Sequence, residues 1–105
     1  MVTVNIKIGD LDGFDALDAY FKMVVNKTCK VIRGGQAIEI SKQLDNMANA
    51  RNVMLTQYHA DLAELIYNGA PREECHKARM VIEFTKAQFD NLIAGLNEAL
   101  AIARR

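Results

Sequence analysis

The sequence predicts a mainly α-helical protein: an antiparallel hairpin of two long C-terminal helices, preceded by an N-terminal helix and a short N-terminal β-strand. Three observations carry that expectation. From Cys75 to Ala103, apolar and small residues recur in alternating three- and four-residue steps. A second amphipathic stripe runs from Leu44 to Ile66, and only Asn68-Gly69-Ala70-Pro71 separates the two. At the other end, Val2 to Gly9 alternates apolar and polar residues, and that pattern never clearly returns.

The strand, residues 2–8, places Val2, Val4, Ile6 and Ile8 on one face and Thr3, Asn5 and Lys7 on the other. A strand cannot satisfy its own backbone groups, so it calls for a partner: an internal hairpin, the same strand of a second chain, or the sheet edge of a target. A helix over 12–33 follows, with an end near residue 26 as the alternative. Asp10 or Asp12 is placed to cap it, and Phe14, Leu17, Phe21 and Val24 give it an apolar face. The stretch 28–41 has two readings. Either the helix runs on and breaks at Gly34-Gly35, or Gly34-Gly35 turns a β-hairpin in which Ile38 and Ile40 alternate with Glu39 and Ser41. Both stand, with the broken helix slightly ahead.

The next helix, 41–68, is marked by Leu44, Met47, Met54, Leu55, Tyr58, Leu62, Leu65 and Ile66, and Gly69 suits a left-handed C-terminal cap. The last helix, 71–104, carries Cys75, Ala78, Ile82, Thr85, Phe89, Leu92, Leu96, Ala99 and Ala103 in one seam. Ile93 and Leu100 widen that seam, which favours a bundle over a two-stranded coil. Pro71, Glu73 and Glu74 suit its N-terminal turn, and Arg104 and Arg105 its C-terminal end. Gly95 interrupts it, and close approach of a neighbouring helix is the expected reason. So short a link between helices turns the chain straight back.

At 105 residues, the chain fits one helical domain, residues 1–105. Thirteen basic residues balance thirteen acidic ones, which removes the usual signature of a nucleic-acid or membrane-coating protein. No apolar run approaches the roughly 20 residues that cross a bilayer, and no basic-then-apolar leader follows Met1, so a cytoplasmic protein with no membrane partner is expected. Cys29 and Cys75 then read as small core residues, and Met23, Met47, Met54 and Met80 as core fillers.

No catalytic or cofactor pattern emerges. Gly34-Gly35 lacks the spacing of a phosphate loop. Cys75 and His76 are adjacent, hence about 100° apart on a helix, and His59 has no acidic neighbour at a helpful spacing. The reading is Cys75 packed and His76 in water. Asp10, Asp12, Asp15 and Asp18 have neither the spacing nor the closing glutamate of a calcium loop. Asn46, Asn49 and Asn52 form a solvated ridge. No catalytic residue, metal or cofactor is therefore assigned.

Strand, helix, helix, with Thr3, Asn5 and Lys7 on the polar strand face, looks like the start of a ribbon-helix-helix repressor. The likeness covers Val2 to Ser41 at most. It implies that two chains pair their first strands and that Thr3, Asn5 and Lys7 read the major groove. Lys22, Lys27, Lys30 and Arg33 fit that picture, whereas Gly34-Gly35 and the neutral charge depart from it. The favoured expectation is different: a non-enzymatic protein-binding module (a small adaptor, assembly chaperone, or inhibitor or regulator of a larger complex) acting as a homodimer. Thr3, Asn5 and Lys7 are its candidate partner-binding residues, and the DNA-binding regulator or antitoxin is the alternative.

Overall fold

The structure, a computed structural model, describes residues 11–105, and side-chain surroundings from Asp15 onward. The strand expected over 2–8 and the Asp10 cap lie outside the described residues. Three helices follow: α1 Leu11–Gly34, α2 Ala37–Tyr67 and α3 Arg72–Ala103. Among the described residues there is no strand. Asp12 is itself helical, within α1, and so does not cap it.

The β-hairpin reading of 28–41 is overturned. Gly34 ends α1, Gly35 takes φ +68°, and Gln36, in extended conformation, starts α2 one residue later. The Gly35 amide donates to the Ile32 carbonyl at 3.1 Å, closing the helix end that a left-handed glycine allows. The apparent alternation of Ile38 and Ile40 has a helical origin, because residues two apart on a helix point about 200° from each other. Accordingly, Ile38 is 64% exposed and Ile40 is 1% exposed.

At the second turn Gly69 takes φ +71°, and the amides of Asn68, Gly69 and Ala70 bond the carbonyls of Glu64, Ile66 and Leu65. Pro71 is the N-cap of α3, where its missing N–H costs nothing, and Glu73 and Glu74 sit in the first turn. The chain reverses at both turns. The result is a rod of 53 × 20 × 19 Å, about the length of its longest helix at roughly 1.5 Å per residue.

The core lies along the seam of α2 and α3. Tyr58, Phe89, Leu17, Ile40, Leu96 and Thr85 are its largest fully buried side chains. The described α1 has 24 residues against 31 in α2, so it covers the hairpin from the Gly35 turn to about two turns short of the Gly69 turn. It packs by aromatic edges: the Phe21 ring lies 5.0 Å from Phe89 and 5.8 Å from Phe84, both edge-on. Thr28, two steps along the same stripe, is buried and accepts a hydrogen bond from Gln43 Nε2 at 3.2 Å. That polar pair fixes α1 against α2 in register, since either group alone would be buried without a partner.

Several readings of single residues need correction. Cys29 is exposed, because it lies one residue past Thr28 on the stripe and so points outward. Met23 and Met80 are 57% and 59% exposed, while Met47 and Met54 are core as expected. Ile66, read as part of the α2 stripe, is 53% exposed. A Cβ built on Gly95 meets nothing within 4 Å, so close helix approach does not explain that glycine.

Candidate interaction surface

The surface follows from how three helices divide the flanks of one hairpin. Packing α2 on α3 leaves a groove on each side of their seam. α1 fills one groove. Phe21 reaches Phe84 and Phe89 there, and Gln43, Asn46 and Met47 of α2 line an open cleft with Tyr20, Met23 and Lys27 of α1. The other groove has no helix over it among the described residues.

Two rows border this open groove. On α2, Ala48, Asn52, Leu55, His59, Leu62 and Ile66 recur in alternating four- and three-residue steps. Ala48, Leu55 and Leu62 are half-buried, and Asn52, His59 and Ile66 are exposed. On α3, the row is Arg72, His76, Arg79, Glu83, Lys86, Asp90, Ile93 and Asn97, of which only Ile93 is half-buried. Such a spacing keeps each row on one face for its whole length. An ion pair crosses the groove: Arg51 Nε donates to Asp90 Oδ1 at 2.9 Å. The other two ion pairs among the described residues, Lys22–Asp18 and Lys42–Glu39, lie within single helices. Arg79, Glu83 and Lys86 are in none of the three.

The titratable residues singled out in the sequence do not assemble. Cys75 is buried, its thiol 4.0 Å from the Ala70 carbonyl, while His76 and His59 are exposed. Among the described residues no group of three metal-ligating side chains forms. No helix of the described residues is long and apolar enough to cross a membrane. Asn46, Asn49 and Asn52 face outward as a ridge. Thr3, Asn5 and Lys7 lie outside the described residues.

Two tyrosines stand apart. Tyr58 is 1% exposed and its hydroxyl has no hydrogen-bond partner. Burial pushes its pKa up to about 12, with smaller contributions from the charges of Asp61 and Tyr20. Burial also raises Tyr20. Each is therefore a neutral group at physiological pH. The Thr85 hydroxyl is likewise buried and unpartnered.

No family model, curated protein or solved structure matches the chain. The residues that border the open groove were only half visible in the sequence. Leu55 and Leu62 pack against the core at the edge of the stripe, as the spacing predicts, whereas Ile66 lies beyond that edge and is exposed. The charged row of α3 carries a signal that a search for hydrophobic periodicity passes over.

Proposed function

We propose that this chain is a non-enzymatic protein-binding module, of the kind that serves as a small adaptor, assembly chaperone, or regulator of a larger complex, and that it works as a homodimer. One observation carries the reading: the open groove, where Leu55 and Leu62 stay half-buried and Ile66 is 53% exposed beside a continuous row of charges. Apolar side chains rimmed by charges are the usual composition of a protein contact, apolar at the centre and polar at the rim. A twofold contact lets one such surface complete another of its own kind.

The test is the solution mass by light scattering over a concentration series. A mass of twice 11.7 kDa supports the homodimer, and 11.7 kDa at every concentration up to about 1 mM contradicts it. The binding role is tested by comparing proteins retained by the tagged wild type and by a Leu62→Lys variant. A specific protein lost together with the dimer is the expected result, and identical retention by a variant that no longer dimerises contradicts a binding role that depends on the dimer.

The alternative, a DNA-binding regulator with a ribbon-helix-helix-like N-terminus, draws on exposed Lys27, Lys30 and Arg33 near the Gly35 turn. Its affinity for duplex DNA would fall steeply with salt and weaken on Lys7→Ala. A flat salt response in a mobility-shift titration removes it.

A further inference from the structure

The charged row of α3 has a symmetry that a run of charges has no need to possess. On α3 the charges read Arg79, Glu83, Lys86, Asp90. Reversed, the row presents Asp90, Lys86, Glu83, Arg79, so it is complementary to an antiparallel copy of itself. Arg79 falls opposite Asp90, and Glu83 opposite Lys86, about a midpoint between Phe84 and Thr85. On α2 the row repeats in spacing only: about Gln57, Leu55 lies opposite His59, Asn52 opposite Leu62, and Ala48 opposite Ile66. Reversal therefore sets the exposed Ile66 on a small alanine and the half-buried Leu55 on an imidazole.

The two midpoints lie at similar levels of the hairpin. The Arg51–Asp90 contact, 2.9 Å long, ties a residue six before Gln57 to one between five and six after the α3 midpoint. Because the helices are antiparallel, both counts run the same way along the rod. The midpoints therefore fall at similar levels of the rod, to within the reach of the side chains that make the contact. A single twofold axis, crossing the hairpin near the level of Gln57, serves both rows at once.

We infer that the open face of the α2–α3 hairpin joins two copies of this chain antiparallel across that axis, with Glu83 facing the partner's Lys86 and Arg79 facing the partner's Asp90. This rests on the homodimer reading above and adds the face, direction and register. A parallel copy, related by a twofold along the rod, would instead set the charged row of α3 on the partner's α2 row of Ala48, Asn52, Leu55, His59, Leu62 and Ile66, which offers those charges no opposite charge. In the antiparallel arrangement Asp90 keeps Arg51 and gains a second cation. Burial of Leu55, Leu62 and Ile66 provides the attraction, while the exposed ion pairs select direction and register.

Charge exchange tests it on the intact chain, because Glu83 and Lys86 are both exposed and their reversal leaves the core untouched. Expected are a wild-type dimer and single variants Glu83→Lys and Lys86→Glu that each dimerise at least about tenfold more weakly, since each creates two like-charge pairs. Mixing the two variants restores a heterodimer, and so does combining both changes in one chain. If both single variants dimerise as the wild type does, the dimer uses another face, and this inference fails while the homodimer stands. Weakened variants that fail to rescue each other contradict the register. A monomeric wild type overturns both.

Discussion

Replacing Phe89 by alanine tests the docking of α1 on the hairpin. Phe89 is 0% exposed, and its ring lies 5.0 Å from Phe21 at an interplanar angle of 75°. Phe21 in turn meets Phe84 at 5.8 Å and Tyr20 at 5.2 Å, so one ring anchors an aromatic cluster. Removing a fully buried phenylalanine costs about 3–5 kcal/mol. Ile82, Thr85 and Leu96 around it are themselves buried on the same helix and leave little room for collapse, which puts the expectation near 4 kcal/mol. The edge-on contact with Phe21 accounts for about 0.5–1.5 kcal/mol of that. A domain of this size has about 5–15 kcal/mol in all, so the variant folds at low temperature but melts roughly 15–30 °C earlier. Urea and thermal denaturation followed by far-ultraviolet circular dichroism, at one fixed protein concentration, measure the loss. Tyr67→Ala, at a residue 90% exposed, is the control and should stay within about 0.5 kcal/mol. A double-mutant cycle with Phe21→Leu isolates the ring contact. A Phe89→Ala loss below about 1 kcal/mol would refute the packing of α1 described here.

Other perturbations have equally definite outcomes. Leu92→Asp puts a carboxylate at a core position 9% exposed and should cost several kcal/mol, read as a collapse of the melting temperature. Gly95→Ala should stabilise by about 0.5–1 kcal/mol, because the added methyl meets nothing within 4 Å and the helix gains propensity, whereas a loss would reveal an unseen close neighbour. Tyr58→Phe should leave stability at pH 7 unchanged or raised, since it deletes a buried hydroxyl without a partner. Tyr58 has its folded pKa raised from 10.0 to about 12, so its contribution is complete below pH 10 and drains away as pH rises toward 12. The phenylalanine variant should therefore lose less stability over that window than the wild type, and parallel pH profiles would contradict the assignment.

The hairpin was legible because its signal is redundant. Two long stripes of period near 3.6 and a four-residue link containing a glycine at positive φ allow one arrangement only. The Gly34-Gly35 region was not, because local chemistry served both readings. Two glycines suit a β-turn as well as a helix end, and burial of Ile40 with exposure of Ile38 requires the tertiary contact of α2 with its neighbours. Cys29, Met23 and Met80 were misplaced for a related reason. Residue type favours burial on average, but the angular position on the helix decides it. Thr28 and Gln43 show the converse, polar residues buried because they lie on the apolar stripe and hold each other at 3.2 Å. The open groove was obscured by width. A broad apolar stripe reads as core throughout until it is known how many helices pack against it.

Two copies meeting antiparallel across the open face of the hairpin would hold equivalent positions at distances that depend on their place along the rod. Dipolar electron paramagnetic resonance on Cys29→Ser/Cys75→Ala chains, labelled one position at a time at exposed Ala87→Cys or exposed Ala101→Cys, measures this directly. An axis between Phe84 and Thr85 predicts inter-chain distances below about 20 Å at position 87, and near 50 Å at position 101, from roughly 1.5 Å of rise per residue counted both ways from the axis. Equal distances at the two positions, or no dipolar coupling at position 87, would contradict it.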